Sequence, residues 1–193
     1  LSDIQKGEAL IRIGVTGHRI LAETEKIEAG VEEALRRIEL AFPGEPITVV
    51  SALAEGADRI VARHVLARPG FGLTVPLPLP ESDYLTDFHS EESRSEFRSL
   101  LQRAGHVEEM PSTATRDRAY EAAGEYVLNN SEVLITIWDG ENAQGRGGTG
   151  DIVARARERG LPIAWVHAGN REPGTHRPTS LGDGQGRVTF ENI

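Results

Sequence analysis

Cysteine is absent from the 193-residue chain. That excludes a disulfide framework, a thiolate metal site and a thiol nucleophile, and it fits a reducing compartment. Positive charge is the minority sign: 21 Lys and Arg stand against 30 Asp and Glu, a formal charge of −9. Non-specific nucleic-acid binding needs a basic surface, so no nucleic-acid partner is expected, although an isolated basic pocket fits the balance. No apolar run approaches the roughly 18 residues of a membrane span, and no signal-peptide pattern opens the chain. The expectation is a soluble, cytoplasmic protein without a membrane partner. The chain begins at Leu1, as expected of a trimmed chain or of one domain of something longer, with a fused or associated effector. His18, His64, His89, His106, His167 and His176 contain no i, i+4 pair, so no metal is expected. Neither a Gly-x-Ser-x-Gly elbow nor an internal repeat occurs.

What is present is ordinary soluble composition, 38% hydrophobic and 26% charged, in a length that suits one sizeable domain. Ile11, Ile13 and Val15 read as a strand that stops at Thr16-Gly17-His18-Arg19. Ile27, Val31, Ala34, Leu35 and Ile38 then repeat at helical period, with Glu23 and Glu25 at the end where the helix dipole favours anions. Ile47 to Ser51 is a second strand, followed by a loop to Asp58 and a helix with Ile60, Val61, His64 and Val65 on one face. A third strand begins at Leu73 and is expected to leave the sheet at Pro76-Leu77-Pro78-Leu79-Pro80, since prolines cannot donate to a central ladder. Ser90 and Thr115 are N-caps for two further helices, with a short strand at Val107 between them. Val133 to Trp138 reads as a fully buried strand, Gly160 as a helix C-cap, and Pro162 to Val166 as another apolar strand.

This alternation predicts an α/β fold: an open, doubly wound, Rossmann-like parallel sheet with helices on both faces. Residues 1 to 167 form the expected nucleotide-binding domain. Residues 168 to 193 are a Gly/Pro-rich lid or linker, with Val188 and Phe190 alternating as in a short edge strand.

The ligand site is expected beyond the carboxyl ends of the strands, where the longer, chemically richer loops fall. Four glycines between 145 and 150 lie between a buried strand and a helix, a context in which backbone N–H groups and the helix N-terminus hold phosphate. Candidate ligand-binding residues there are Arg146, Gly147, Gly148, Thr149 and Gly150. Thr16, Gly17, His18 and Arg19 join them from the first strand, with Arg19 suited to bidentate phosphate contact and His18 to stacking or hydrogen bonding. Ser51, Glu55 and Gly56 come from the second loop, where glycine and acids also suit a plain helix start. Asp139 either caps its own loop or binds a ribose hydroxyl.

Together, Ile13 to Arg19, Ser51 to Arg59, Val75 to Pro80, and Trp138-Asp139-Gly140 leading to Gly147-Gly148-Thr149-Gly150-Asp151 resemble the SLOG superfamily. These Rossmann-like domains are related to the LOG phosphoribohydrolases and DNA-processing protein A. The resemblance spans roughly residues 10 to 167. It implies a nucleotide-derived ligand of the NAD or ADP-ribose type, and a homo-oligomer. LOG hydrolases carry Pro-Gly-Gly-x-Gly-Thr-x-x-Glu; aligned on Gly147 and Gly148, this chain has Asp151 at the threonine and Val153 and Ala154 near the glutamate. Ile152 stands where nucleoside deoxyribosyltransferases have theirs.

Cleavage of an N-glycosidic bond needs a carboxylate at the reacting carbon, so a sensor that binds its nucleotide without consuming it is expected. The alternatives are a nucleoside, nucleotide or NAD glycohydrolase, with Glu55 as the candidate carboxylate, and an assembly module without a small ligand.

Overall fold

The computed structural model describes residues 10 to 142 and 147 to 193, so Arg146 lies outside the described residues. The first described strand lies in the middle of the sheet. Strand β1 (Ile11–Gly17) leads into α1 (Thr24–Ala41), β2 (Ile47–Val50), α2 (Ala57–Leu66) and β3 (Gly72–Leu77). A one-turn helix α3 (Glu81–Tyr84) precedes α4 (Glu91–Gln102), β4 (His106–Glu109) and α5 (Arg116–Asn129). The second half comprises β5 (Val133–Trp138), α6 (Thr149–Glu158), β6 (Ile163–His167) and β7 (Val188–Glu191). No described helix is long and apolar enough to cross a membrane.

The seven strands run in the order β4-β3-β2-β1-β5-β6-β7, all neighbours parallel except the β6–β7 pair. This is an open, doubly wound, Rossmann-like sheet, and β5 is buried at every position, as a central strand covered on both faces must be. Ile27, Val31 and Leu35 of α1 and Ile60, Val61 and Val65 of α2 pack with Ile13, Val49 and Ile135 on one side. On the other side Val127 and Leu128 of α5 and Ile152, Val153 and Ala156 of α6 pack on Leu134 and Trp138. Three of the four residues of the exposed edge strand β4 are polar or charged, namely His106, Glu108 and Glu109, which discourages pairing with another chain.

The third strand does not leave the sheet at its first proline. Pro76 lies within β3, in register with Glu108 of β4. In a parallel ladder alternate residues bond to alternate neighbours. Leu73 and Leu77 accept hydrogen bonds from Gly105 and Met110 on the β4 side, whereas Thr74 accepts from Ser51 on the β2 side. Pro76 therefore faces the end of β2, where its missing N–H costs only the last ladder bond, to the Ser51 carbonyl.

Residues 168 to 187 carry no periodic pattern because turns and one buried amide order them. Arg171 and Pro178 form an antiparallel bridge, and Gly182–Gly184 is a 3-10 turn. Gln185 is buried; its Oε1 accepts from the Gly169 and Leu181 N–H groups at 3.0 and 3.1 Å, and its Nε2 donates to the Ala22 carbonyl at 2.8 Å. The segment is thus tied to the chain entering α1.

Candidate functional site at the switch point

Strand order reverses between β1 and β5, and in a sheet of this kind the crevice at such a reversal is where ligands sit. A cleft of about 330 Å³ opens there. Its wall begins with Val15, Thr16 and Gly17 of β1 and continues through His18, Arg19 and Ile20. Asp58 joins from α2, Tyr84 from α3, Tyr120 and Gly124 from α5, and Gly147, Gly148 and Thr149 from the start of α6. Asn170 and Arg171 complete it from the segment after β6.

Backbone contacts stitch these loops together. The His18 N–H donates to the Ile137 carbonyl at 3.0 Å, and the Ala57 N–H donates to the His18 carbonyl at 3.1 Å. At Gly17 a Cβ would lie 2.4 Å from Ala57 Cβ and 2.6 Å from the Ile137 carbonyl oxygen, so only glycine fits. Leu53 adopts φ 58° in the β2–α2 loop, held by Arg59, whose Nε donates to the Leu53 carbonyl at 3.0 Å. Left-handed backbone at a buried leucine stores strain, a feature concentrated at ligand loops.

His18 bridges the two halves of the sheet. Its Nε2 lies 3.1 Å from Asp139 Oδ2 and 3.2 Å from the Asp139 backbone nitrogen. The Asp139 N–H donates to Nε2 of the neutral ring, and only protonation of the imidazole would turn Nε2 into a donor to Oδ2. Burial lowers the His18 pKa, and Asp139 offsets part of that shift. Asp139 Oδ1 accepts from the Glu141 N–H at 3.0 Å, so this carboxylate caps its own loop.

Among the described residues the charges lining the cleft are Arg19, Arg171 and Asp58. Among the described residues neither arginine side chain makes a hydrogen bond or ion pair, and the Arg19 guanidinium rests 5.5 Å from the centre of the Tyr120 ring. Gly148 at the N-cap of α6 offers its first turn no side-chain cap. Asp151, in that turn, accepts from the Gly147 N–H at 3.0 Å and lies 3.8 Å from Arg155, which offsets its charge.

The predicted residues therefore divide. Thr16, Gly17, His18, Arg19, Gly147, Gly148 and Thr149 meet at the cleft. Gly150 is buried within the first turn of α6. Ser51 is fully buried, donating from its Oγ to Asp58 Oδ2 at 2.9 Å and accepting from the Leu53 N–H. Gly56 packs behind the loop against the His18 and Arg19 carbonyls. Glu55 turns toward α4, where it accepts from Ser93 Oγ and sits 3.1 Å from His89 Nδ1. Burial pushes the Glu55 pKa up, but these hydrogen bonds outweigh it and hold the group below its usual range.

Sequence reading weighs Asp58 only within the stretch Glu55 to Asp58, as a helix start or a site, and passes over Tyr84, Asn170 and Arg171. Asp58 had a signal: three and seven residues before Val61 and Val65, it occupies the core-facing side of α2, an unusual place for an acid. Burial raises its pKa to about 6, against the hydrogen bonds from Ser51 and Ala54 and the charges of Arg19 and Arg59. Tyr84 had none, because a single helical turn has no period to read. Among the described residues no group of three His, Asp or Glu is placed to hold a metal ion.

No family model and no curated protein matches the chain. Among solved structures, the X-ray structure of TM1055, a structural genomics target, is similar at a TM-score of 0.48 and 13% identity, covering 79% of this chain and 72% of its own.

Proposed function

We propose that the protein binds a phosphate-bearing, nucleotide-derived ligand of the NAD or ADP-ribose type in this cleft and acts as a sensor domain. The observation that carries the reading is the meeting, at one switch-point cleft, of two arginines with no ion pair among the described residues and a helix N-terminus without a side-chain cap, in a chain of charge −9. Oriented N–H groups and guanidinium forks both suit phosphate oxygens. The SLOG resemblance supports it, since two of its motifs, Thr16 to Arg19 and Gly147 to Thr149, line the cleft.

A second reading, an N-glycosidic hydrolase, draws its support from Asp58, a buried carboxylate at the cleft wall with a pKa of about 6. A thermal-shift screen with NAD, ADP-ribose, cyclic ADP-ribose and AMP, followed by chromatography of each ligand, separates the two. Stabilisation with intact ligand is the expected result; multiple turnovers of product would establish the hydrolase. Arg19→Ala is expected to weaken binding about 10- to 100-fold, the worth of a charge-assisted hydrogen bond, and unchanged affinity would place the phosphate away from Arg19.

A further inference from the structure

We propose that Asp58 and Tyr84 form a hydroxyl-binding subsite in the cleft, which takes the sugar of a ribose-bearing phosphate ligand. The proposal rests on the nucleotide reading and adds to it which part of the ligand is recognised on the β2–β3 side. Asp58 and Tyr84 both line the cleft, yet they are only 7% and 1% exposed. Asp58 uses one oxygen internally: Oδ2 accepts from Ser51 Oγ at 2.9 Å and from the Ala54 N–H at 3.3 Å. Its Oδ1 has no hydrogen-bond partner among the described residues. The Tyr84 hydroxyl has none either, although the ring is fixed by edge contacts to Phe88 at 5.0 Å and Phe97 at 5.6 Å. Neither atom is sealed from solvent, so at the cleft wall each is open to a ligand hydroxyl that takes the place of water.

Their chemistry selects the ligand group. A carboxylate oxygen accepts and a phenol donates, and burial keeps the Tyr84 phenol protonated by raising its pKa. A sugar hydroxyl is both donor and acceptor, and a vicinal diol offers this pair twice. A phosphate oxygen has no proton to give to Asp58 near neutral pH and would be repelled by it. The acidic and basic parts of the cleft therefore sort the ligand: phosphate goes to Arg19, Arg171 and the start of α6, and sugar to Asp58 and Tyr84.

The test measures binding of ADP, GDP, CDP and UDP, each against its 2′,3′-dideoxy counterpart, and of inorganic pyrophosphate. It uses the full chain, Tyr84→Phe and Asp58→Asn. Tyr84→Phe removes only a hydroxyl without a partner, so it should fold as the wild type does. The wild type is expected to prefer at least one ribonucleotide to its dideoxy form by about 10-fold or more, as one or two hydrogen bonds imply. In Tyr84→Phe that preference should fall at least about threefold, with pyrophosphate affinity unchanged. A wild type that binds pyrophosphate and nucleotides but does not distinguish the dideoxy forms overturns the hydroxyl subsite alone. Equal loss of pyrophosphate and ribonucleotide binding in Tyr84→Phe also overturns it, by showing a general effect on the cleft. Binding of none of these probes overturns the phosphate reading together with the subsite.

Discussion

Replacing Gly56 by alanine is expected to lower the thermal midpoint by about 6 to 12 °C, the largest loss of any single methyl addition near the cleft. Gly56 precedes α2 with φ 79° and ψ −118°, a conformation that L side chains rarely adopt. A Cβ there would lie 2.4 Å from the Arg19 carbonyl oxygen and 2.5 Å from that of His18. These neighbours are backbone, so no rotamer change relieves the clash. Strain of about 1 kcal/mol for the backbone and about 2 kcal/mol for overpacking gives roughly 3 kcal/mol, at roughly 2 to 4 °C for each in a chain of this size. Separation of the two loops would also break the Ala57 to His18 hydrogen bond and move Arg19, so phosphate affinity should fall as well. A midpoint within about 2 °C of wild type would show that the β1–α1 loop yields freely, against the close packing of His18 and Arg19 on Gly56.

Asp58→Asn is expected to act in the opposite direction, and only at high pH. The carboxyl has a pKa of about 6 in the fold, against 3.8 when solvated. A raised folded pKa means that stability is fully present below pH 3.8 and is lost as pH rises through about 6. The difference corresponds to about 3 kcal/mol at pH 8, to an order of magnitude. Asparagine removes that cost but accepts more weakly from Ser51 and Ala54, so a net gain of about 2 kcal/mol is expected, roughly 4 to 8 °C. By about pH 4.5, where the folded wild type is protonated at this position, the gain should have vanished. Destabilisation at pH 8 would instead mean that Arg19 and Arg59 more than repay the burial of the charge.

Both predictions turn on residues that sequence reading saw unequally, and the reason is physical. Helices α1 and α2 and strand β5 were legible because their apolar positions keep one period against one core. The meeting of the glycines before α6 and the turn after β1 at one sheet edge was legible because a parallel sheet puts all such loops there. Pro76 was misplaced because the rule for prolines in strands concerns the neighbour each residue faces, and that depends on where β2 ends. Tyr84, Asn170 and Arg171 belong to stretches without period, and they reach the cleft through tertiary packing alone. Glu55 and Asp58 show the difference most sharply. They are three residues apart, yet Glu55 lies in the loop before the Gly56 cap and turns to α4, whereas Asp58 in the first turn of α2 lines the cleft.

The central claim is that this cleft binds a phosphate-bearing ligand, and amide chemical-shift mapping tests it most directly. Titration of the ¹⁵N-labelled chain with ADP-ribose, and separately with pyrophosphate, is expected to shift the amides of Thr16 to Ile20, Gly147 to Thr149, Asn170 and Arg171 in a saturable way. Tyr84 and Asp58 should respond to ADP-ribose and not to pyrophosphate. Saturable shifts confined to another surface, or none with either ligand at millimolar concentration, would contradict the account.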